Sequence, residues 1–303
     1  MIRSDEIPCV PGPRPPPRGT DLPVLLPAAE IVARRAAEER ARGGSTLRLR
    51  ARHGVWLFLA FVFFSGVAEA RTGVGGPFWV LSTLWKWSPL LAEGFMLNLI
   101  MSFLAMVIGT VTGTLLGVAQ ISLMPSVKNT SWFVTQFFRN APWLVLMFYV
   151  MYLVPFQFRI GDIVIPFPDW IKATLGFSLP VMANVSELVR GGIQSIPSGQ
   201  KEAAESLAFT RRQVFWMIII PQCVKRILPP WMNLYAILTQ ATVLASIVGV
   251  TEMVTTAHEI LGAEYEPSLL LPLYTYVLLW FFAYCYPIAR WTMHLERKFA
   301  VEM

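Results

Sequence analysis

Long apolar stretches dominate this sequence and limit what the chain can fold into. A helix needs about 20 mostly apolar residues to cross the roughly 30 Å hydrocarbon layer of a bilayer. Only 15% of the residues are charged, whereas soluble domains hold about a quarter. We therefore predict an all-α integral membrane protein with about six transmembrane helices, at residues 54–70, 95–119, 132–154, 170–189, 231–250 and 269–289.

The charges between these stretches orient the chain. Arginines crowd the segment before residue 54, and Lys and Arg are frequent at 190–226 and after residue 289. By contrast, the segment after residue 250 contains four glutamates and no Lys or Arg up to residue 289. Since Lys and Arg collect in cytoplasmic loops, six spans with both termini in the cytoplasm fit this pattern.

The beginning of the chain differs in composition from the remainder. Residues 1–53 are rich in Pro and Arg, which predicts a disordered cytoplasmic extension because such a segment cannot bury a core. It is not expected to be a cleavable signal peptide, since no apolar region follows the first methionine closely. The predicted organisation is this extension, an additional span at 54–70 and a transmembrane domain at 90–299.

Two features of the sequence bear on cofactors and on helix packing. The cysteines Cys9, Cys223 and Cys285 show no spacing typical of a metal site or a disulfide framework, and we expect neither a metal nor a cofactor. In the second predicted span, Gly109, Gly113 and Gly117 recur every four residues. We interpret this row as a close helix contact, in preference to a pore lining.

The segment 201–221 is a long polar passage between two predicted spans. Ser198 is expected to cap a first helix, whose first turn carries acidic side chains that suit the positive end of the helix dipole. Thr210 and Gln213 form a capping-box pattern that predicts a second helix, which Pro221 is expected to end. The first helix has a nearly flat face of small or apolar residues: Ala203, Ala204, Leu207 and Ala208.

Such a loop can dock on another protein, or it can simply connect two spans. Its pattern resembles the EAA loop of permease subunits of bacterial ATP-binding-cassette (ABC) importers. That motif reads Glu-Ala-Ala, three residues, Gly, nine residues, Ile-x-Leu-Pro. The matching positions are Glu202, Ala203 and Ala204, then Ala208 in the glycine place, then Ile218, Ile220 and Pro221. The replacement of Gly by Ala is expected to be mild.

The resemblance extends over about residues 90–299 and is similar to the polar amino acid branch of these permeases, most clearly at 187–209. It implies a coupling loop at 190–228 whose helix docks on a separate ATP-binding subunit. The chain itself contains no GxxxxGK[ST] phosphate loop. The docking residues implied are Gly199, Lys201, Glu202, Ala203, Ala204, Leu207 and Ala208.

Further partners follow from the same resemblance. A periplasmic solute-binding protein delivers the substrate, and a second permease subunit, identical or homologous, completes a dimer in the bacterial inner membrane. The permease is then a transporter subunit and not an enzyme. The chain departs from the family pattern inside its predicted spans, and these departures bear on the substrate: Arg139-Asn140-Ala141-Pro142, Asn184 and Gln240-Ala241-Thr242-Val243.

Polar groups inside spans usually face a cavity or another helix. From this we select Asn184 and Gln240 as cavity-lining groups. Arg139 is able to receive a substrate carboxylate as a bidentate donor, or to pair with Glu187 as a structural contact, and the sequence leaves both open.

Two other classes of function compete with the importer. A self-sufficient secondary transporter would use broken helices such as the third predicted span, but the sequence has no evident internal repeat. A membrane enzyme would need clustered titratable groups, and apart from Arg139 and Glu187 no such cluster is indicated.

Overall fold

The computed structural model describes residues 77–160 and 163–299. The predictions made for 1–53 and for the span at 54–70 lie outside these residues. The described part is mostly helical. Three of its helices are long and apolar enough to cross a membrane: Phe78–Ala119, Arg211–Val248 and Pro267–Phe299.

Nine α-helices and one β-hairpin follow one another along the described residues. They are α1 (Pro77–Ala119), α2 (Pro125–Asn140), α3 (Trp143–Leu153), β1 (Gln157–Ile160), β2 (Ile163–Pro166), α4 (Asp169–Gln194), α5 (Ser198–Ser206), α6 (Arg211–Gln213), α7 (Ile220–Ala241), α8 (Met253–Glu264) and α9 (Leu270–Phe299). A π-helical segment, Val214–Ile219, joins α6 to α7, and 3₁₀ turns follow α7 and precede α9.

Helix α1 begins 18 residues before the predicted span at 95–119. It has 43 residues, which correspond to about 65 Å of helix, about twice the thickness of the hydrocarbon layer. Polar residues such as Lys86 and Glu93, together with Pro89 inside the helix, hid this extension from a search for apolar stretches. The extension gives α1 two halves that pack against different partners.

The predicted span at 132–154 is divided into α2 and α3. Ala141 and Pro142 adopt extended backbone conformations between them. This break was indicated by Pro142, because a proline interior to a helix removes a hydrogen bond and clashes with the preceding turn. After α3, the chain forms an antiparallel hairpin in which Gln157 pairs with Pro166. The sequence analysis did not predict this hairpin.

The expected effect of three prolines is wrong. Pro229 and Pro230 directly precede the predicted span at 231–250, where a helix start tolerates proline, but they lie inside α7. Pro221 does not end a helix, because the helix continues through it. Just before Pro221 the chain forms π-helical turns. Such turns change the hydrogen-bonding pattern locally, so a residue without an N–H group can be accommodated.

The row of glycines in α1 packs directly against α4. A Cβ atom added at Gly109, Gly113 or Gly117 would lie within 2.8 Å of atoms of α4. The α4 side chains that they meet also recur every four residues: Val181, Val185 and Val189. We call this contact the glycine seam. It agrees with the interpretation of the glycines as a helix contact, and it belongs to the larger of two buried apolar clusters.

The first half of α1 packs against α8 and α9 through a second buried cluster rich in aromatic residues. The ring of Phe95 meets those of Trp280, Phe281 and Tyr284 edge-on, at centroid distances of 5.2 to 6.0 Å. We call this contact the aromatic seam. Next to it, the hydroxyl groups of Ser88 and Tyr276 form a hydrogen bond of 3.0 Å.

Candidate functional site

Helix α5 lies between α4 and α7 along the chain. Its N-cap is Pro197, which makes no side-chain capping bond, so Ser198 is the first residue of the helix and the expected Ser198 cap is wrong. The capping box of Thr210 and Gln213 is confirmed. The Gln213 amide N–H donates to Thr210 Oγ1, and Gln213 Oε1 accepts from the Thr210 amide.

The end of α5 is a Schellman motif. The Phe209 amide donates to the Ala204 carbonyl at 3.1 Å, and the Ala208 amide donates to that of Glu205 at 3.0 Å. Ala208 therefore has a left-handed conformation, with φ of 58°. Glycine adopts this conformation freely, whereas an L-residue is disfavoured by about 1–2 kcal/mol. The replacement of Gly by Ala is thus less mild than expected.

The predicted small-residue face of α5 is only partly available to a partner. Ala204 is buried within the chain, whereas Glu202, Ala203 and Leu207 are exposed. The exposed side of α5 therefore presents a carboxylate, a methyl group and an isobutyl group.

Two hydrogen bonds fasten the loop to the first turns of α7. Gln222 Nε2 donates to Gln200 Oε1 at 2.7 Å. Arg226 Nη1 donates to the carbonyl oxygen of Ser195, also at 2.7 Å. One bond holds α5 and the other holds the turn that precedes it, so both parts of the loop are tied to α7.

Arg139 and Glu187 are close together. Arg139 Nη1 lies 3.8 Å from Glu187 Oε2, while Arg190 Nη2 lies 2.7 Å from the same oxygen. Gln136 Nε2 adds a hydrogen bond to Glu187 Oε1 at 3.3 Å. The Glu187 carboxylate is therefore matched mainly by Arg190, and the side chain of Arg139 remains about half exposed.

The other two predicted cavity residues are not bonded to this pair. Asn184 is half-buried and donates its side-chain amide to the Pro180 carbonyl of its own helix. Gln240 is exposed near the end of α7. Within residues 77–160 and 163–299, no hydrogen bond or ion pair joins Gln240 to Arg139, Glu187 or Asn184.

A buried polar junction was missed by the sequence reasoning. Asn98 Nδ2 donates to Thr242 Oγ1 and to Glu252 Oε2, both at 3.0 Å, and Asn98 Oδ1 accepts from the Met253 amide. All three polar side chains are fully buried. We call this set the Asn98 junction; it joins α1 to the end of α7 and the start of α8.

Glu252 also caps α8, because its Oε1 accepts from the amides of Val254 and Thr255. Burial raises the pKa of the Glu252 carboxyl, and the Val254 and Asn98 donors partly oppose this shift. A signal for the junction was present in the sequence. Asn98 lies inside the predicted span at 95–119 and Glu252 is one of the four glutamates after residue 250, but the sequence does not indicate that the two side chains meet.

A second polar contact joins α1 to the end of α8. Glu264 Oε1 accepts from Lys86 Nζ at 2.8 Å and from Trp87 Nε1 at 2.7 Å. The hydrogen bond from Lys86, followed by that from Trp87, lowers the pKa of the Glu264 carboxyl. Among the described residues, no group of three or more His, Cys, Asp or Glu side chains is arranged to hold a metal ion.

Long apolar helices, a close glycine-mediated contact and a polar helical loop define a helical membrane protein. The family of binding-protein-dependent transport system inner membrane components matches residues 109–298, and the chain belongs to this family. Members are membrane subunits of transporters and not enzymes, and ATP is hydrolysed on a separate subunit. This supports the importer over the secondary transporter and the membrane enzyme.

Individual relatives agree with this assignment. The chain is 32% identical over 212 residues to a probable amino-acid ABC transporter permease, YckA, of Bacillus subtilis (strain 168), covering 70% of this chain and 90% of that protein. It is 26% identical over 204 residues to the probable glutamine ABC transporter permease GlnP of the same strain, covering 67% and 91%.

A solved structure shares the fold. A chain in the crystal structure of an amino acid ABC transporter with histidines superposes with a TM-score of 0.61, at 24% sequence identity. The superposition covers 71% of this chain and 96% of that chain. At this level of identity the likeness concerns the fold alone.

Proposed function

We propose that this permease subunit carries a polar amino acid or a related compound into the cell across the bacterial inner membrane. Relatives named for amino-acid, glutamine and L-cystine transport support this substrate class. So does the similarity of residues 187–209 to the polar amino acid branch. A solute-binding protein supplies the substrate at the outer face, and a second permease subunit completes the pathway.

The observation that carries the proposal is helix α5, exposed between two membrane helices. In our proposal it docks in a groove of the ATP-binding subunit through Gly199, Lys201, Glu202, Ala203, Ala204, Leu207 and Ala208. Ala204 contributes by packing α5 against its own chain, since it is buried. The bonds from Gln222 and Arg226 then transmit the movement of α5 to α7.

The orientation of the chain follows from its charges. In our proposal the chain has six spans, with the loop at 190–228 and both termini in the cytoplasm. Residues 1–53 form a cytoplasmic extension, 54–70 an additional span and 90–299 the transmembrane domain. The basic residues at 190–226 and after residue 289 support this orientation, which places the hairpin β1–β2 and helix α8 toward the outer face.

The substrate pathway is proposed to pass Asn184, Gln240, Arg139 and Glu187. Arg190 already lies closest to the Glu187 carboxylate. This leaves the half-exposed guanidinium of Arg139 able to receive a substrate carboxylate in a bidentate contact. Asn184 and Gln240 add amide groups suited to an amino acid, which carries donors as well as acceptors.

The test is reconstitution in proteoliposomes with the ATP-binding subunit and the binding protein encoded beside this chain. Uptake of labelled polar amino acids and substrate-stimulated ATP hydrolysis are both measured. Glu202→Lys reverses a charge on the exposed side of α5 and is expected to abolish both, while the protein still inserts. Glu296→Lys, the same change at an exposed site of α9, is the control and should retain both. Normal stimulated hydrolysis in Glu202→Lys would refute the coupling role.

A further inference from the structure

An apolar cleft lies at the base of the coupling loop. It consists of two neighbouring cavities, of about 240 Å³ and 580 Å³, which share Val118, Ile193 and Phe215 in their walls. Their remaining lining is mostly aliphatic and comes from the last turns of α1, the first turns of α7, Val189 of α4 and the segment 121–127. A cleft with this lining has little to offer a polar ligand and suits a hydrocarbon chain.

A basic pocket adjoins this cleft. It has a volume of about 440 Å³, and Arg212 and Gln213 line it together with Trp216 and Met217. Phe215 lines the cleft and Trp216 lines the pocket, and their rings meet edge-on at 5.6 Å, so the two sites are neighbours. Trp216 and Met217 are 60% and 63% exposed, which is typical of residues that contact lipid or a partner.

We propose that the cleft and the pocket together bind an anionic phospholipid of the cytoplasmic leaflet. The acyl chain occupies the apolar cleft, and the phosphate lies against the Arg212 guanidinium, whose planar donors match phosphate oxygens. Basic pockets on the cytoplasmic side of membrane helices favour anionic head groups. The inference rests on the proposed orientation, which places this end of the helices in the cytoplasm.

Other positive charges of the same region favour an anionic over a zwitterionic lipid. Lys225 is exposed on α7, and the half-buried Arg226 acts electrostatically on Cys223, a residue of the cleft wall. Arg211 is exposed beside Arg212. Each such charge near the membrane surface adds to the attraction of an anionic leaflet.

The position of the lipid connects it with coupling. The cleft is lined by Cys223 and Ile193. Gln222, which bonds to Gln200, directly precedes Cys223, and the Ser195 carbonyl that Arg226 holds lies two residues after Ile193. A bound acyl chain therefore packs against the turns that fasten the loop, and the lipid is expected to stabilise the loop in its docked position.

The experiment is native mass spectrometry of the purified full-length chain in detergent, with phosphatidylglycerol or phosphatidylcholine added in increasing amounts. Arg212→Gln is expected to weaken phosphatidylglycerol binding about fivefold. Val118→Trp fills the shared part of the cleft and is expected to abolish it. Arg159→Gln, the same loss of charge at an exposed site on the β-hairpin, is the control and should bind as the unaltered chain does.

The possible results show whether an anionic phospholipid occupies the cleft. Equal binding of the two lipids, or an equal loss in Arg159→Gln and Arg212→Gln, would overturn the proposal. So would a Val118→Trp variant that keeps its lipid, since the acyl chain would then lie outside the cleft and the cleft would be left for another occupant. Gel filtration verifies folding, and Arg212→Gln carries the test alone if Val118→Trp does not fold. Lipid binding is read without ATP or substrate, so a failure of the amino acid proposal leaves this result intact.

Discussion

The two halves of helix α1 use opposite solutions to the same problem. In the second half, glycines let the backbone of α4 approach to van der Waals contact. In the first half, aromatic rings fill the space between α1 and α9. In lipid, apolar side chains gain little by leaving the solvent. Helices must therefore associate through close packing or through specific polar contacts, and α1 uses each in a different place.

The Asn98 junction separates these two regions. A Cβ at Gly94, one turn before Asn98, would lie 2.8 Å from the backbone of Met253. The start of α8 therefore meets α1 through two kinds of contact: a close backbone contact at Gly94 and a hydrogen bond at Asn98. The comparison predicts that changes in the glycine seam are the most damaging, because backbone atoms cannot move aside as side chains can.

The largest effect is expected for Gly113→Val. Its Cβ would lie 2.5 Å from the Met182 carbonyl oxygen and 2.8 Å from Val185 Cβ, so α1 and α4 would have to separate. Overpacking alone costs about 1–3 kcal/mol, and a fixed carbonyl in contact makes a loss of folded protein the expected result. Gly191→Val, in α4 where a Cβ meets nothing within 4 Å, is the control.

Yield of monodisperse protein and its thermal stability measure this difference. Equal stability of the Gly113→Val and Gly191→Val variants would contradict the close approach of α1 and α4.

The second-largest loss of stability is expected at the Asn98 junction. Asn98→Leu removes the Nδ2 donor to Glu252 Oε2 and the Oδ1 acceptor of the Met253 amide. Each buried polar group that loses its hydrogen-bond partner costs about 1–3 kcal/mol of stability. We expect a decrease in thermal stability, smaller than for Gly113→Val. The double variant with Glu252→Leu should lose less than the sum of the single variants, because the two residues interact. Additive losses in this double-mutant cycle would show that they act independently.

The third effect is at the aromatic seam. Phe95→Leu keeps an apolar side chain but removes three edge-on ring contacts, each worth about 0.5–1.5 kcal/mol beyond the buried area. We expect a loss of about 1–3 kcal/mol, since neighbouring rings can adjust. Phe103→Leu, on an exposed part of the same helix, should change stability very little. Equal melting temperatures of the Phe95→Leu and Phe103→Leu variants would show that the rings do not hold α1 against α9.

The smallest effect is a pH dependence at the far end of α1. Hydrogen bonds from Lys86 and Trp87 lower the pKa of Glu264, so its contribution is present above the ordinary glutamate pKa of about 4.3. It is lost as the pH falls through the lower value of the folded protein. Melting temperatures measured from pH 7 to pH 3 should converge for the unaltered chain and Glu264→Gln at the acid end. A constant difference at all pH values would contradict the assignment.

Much of the fold could be predicted from individual stretches of sequence. The apolar runs indicated where α3, α4, α7 and α9 lie, Pro142 indicated the break between α2 and α3, and Thr210 with Gln213 indicated the start of α6. These features are local, since each depends on residues within a few turns of one another. The coupling motif at 202–221 was likewise readable from its spacing.

Other features depend on partners far along the chain. Helix α1 extends to Pro77, and its first half packs partly against α8 and α9, which hydropathy cannot reveal. Pro221, Pro229 and Pro230 appeared to mark helix boundaries, but packing and π-helical turns keep the helix continuous through them. The Asn98 junction was missed because Thr242 and Glu252 lie more than 140 residues away in the sequence.

The sequence by itself determined that this chain is a helical membrane protein of the importer permease family, because apolar length and motif spacing are properties of short segments. Tertiary structure alone decided which groups meet. It placed the glycines of α1 against the valines of α4. It brought Arg190 closer than Arg139 to the Glu187 carboxylate, and it buried Glu252 in contact with Asn98. The physical reason is that packing and hydrogen bonding act at a few ångströms in space, and separation along the chain does not encode that distance.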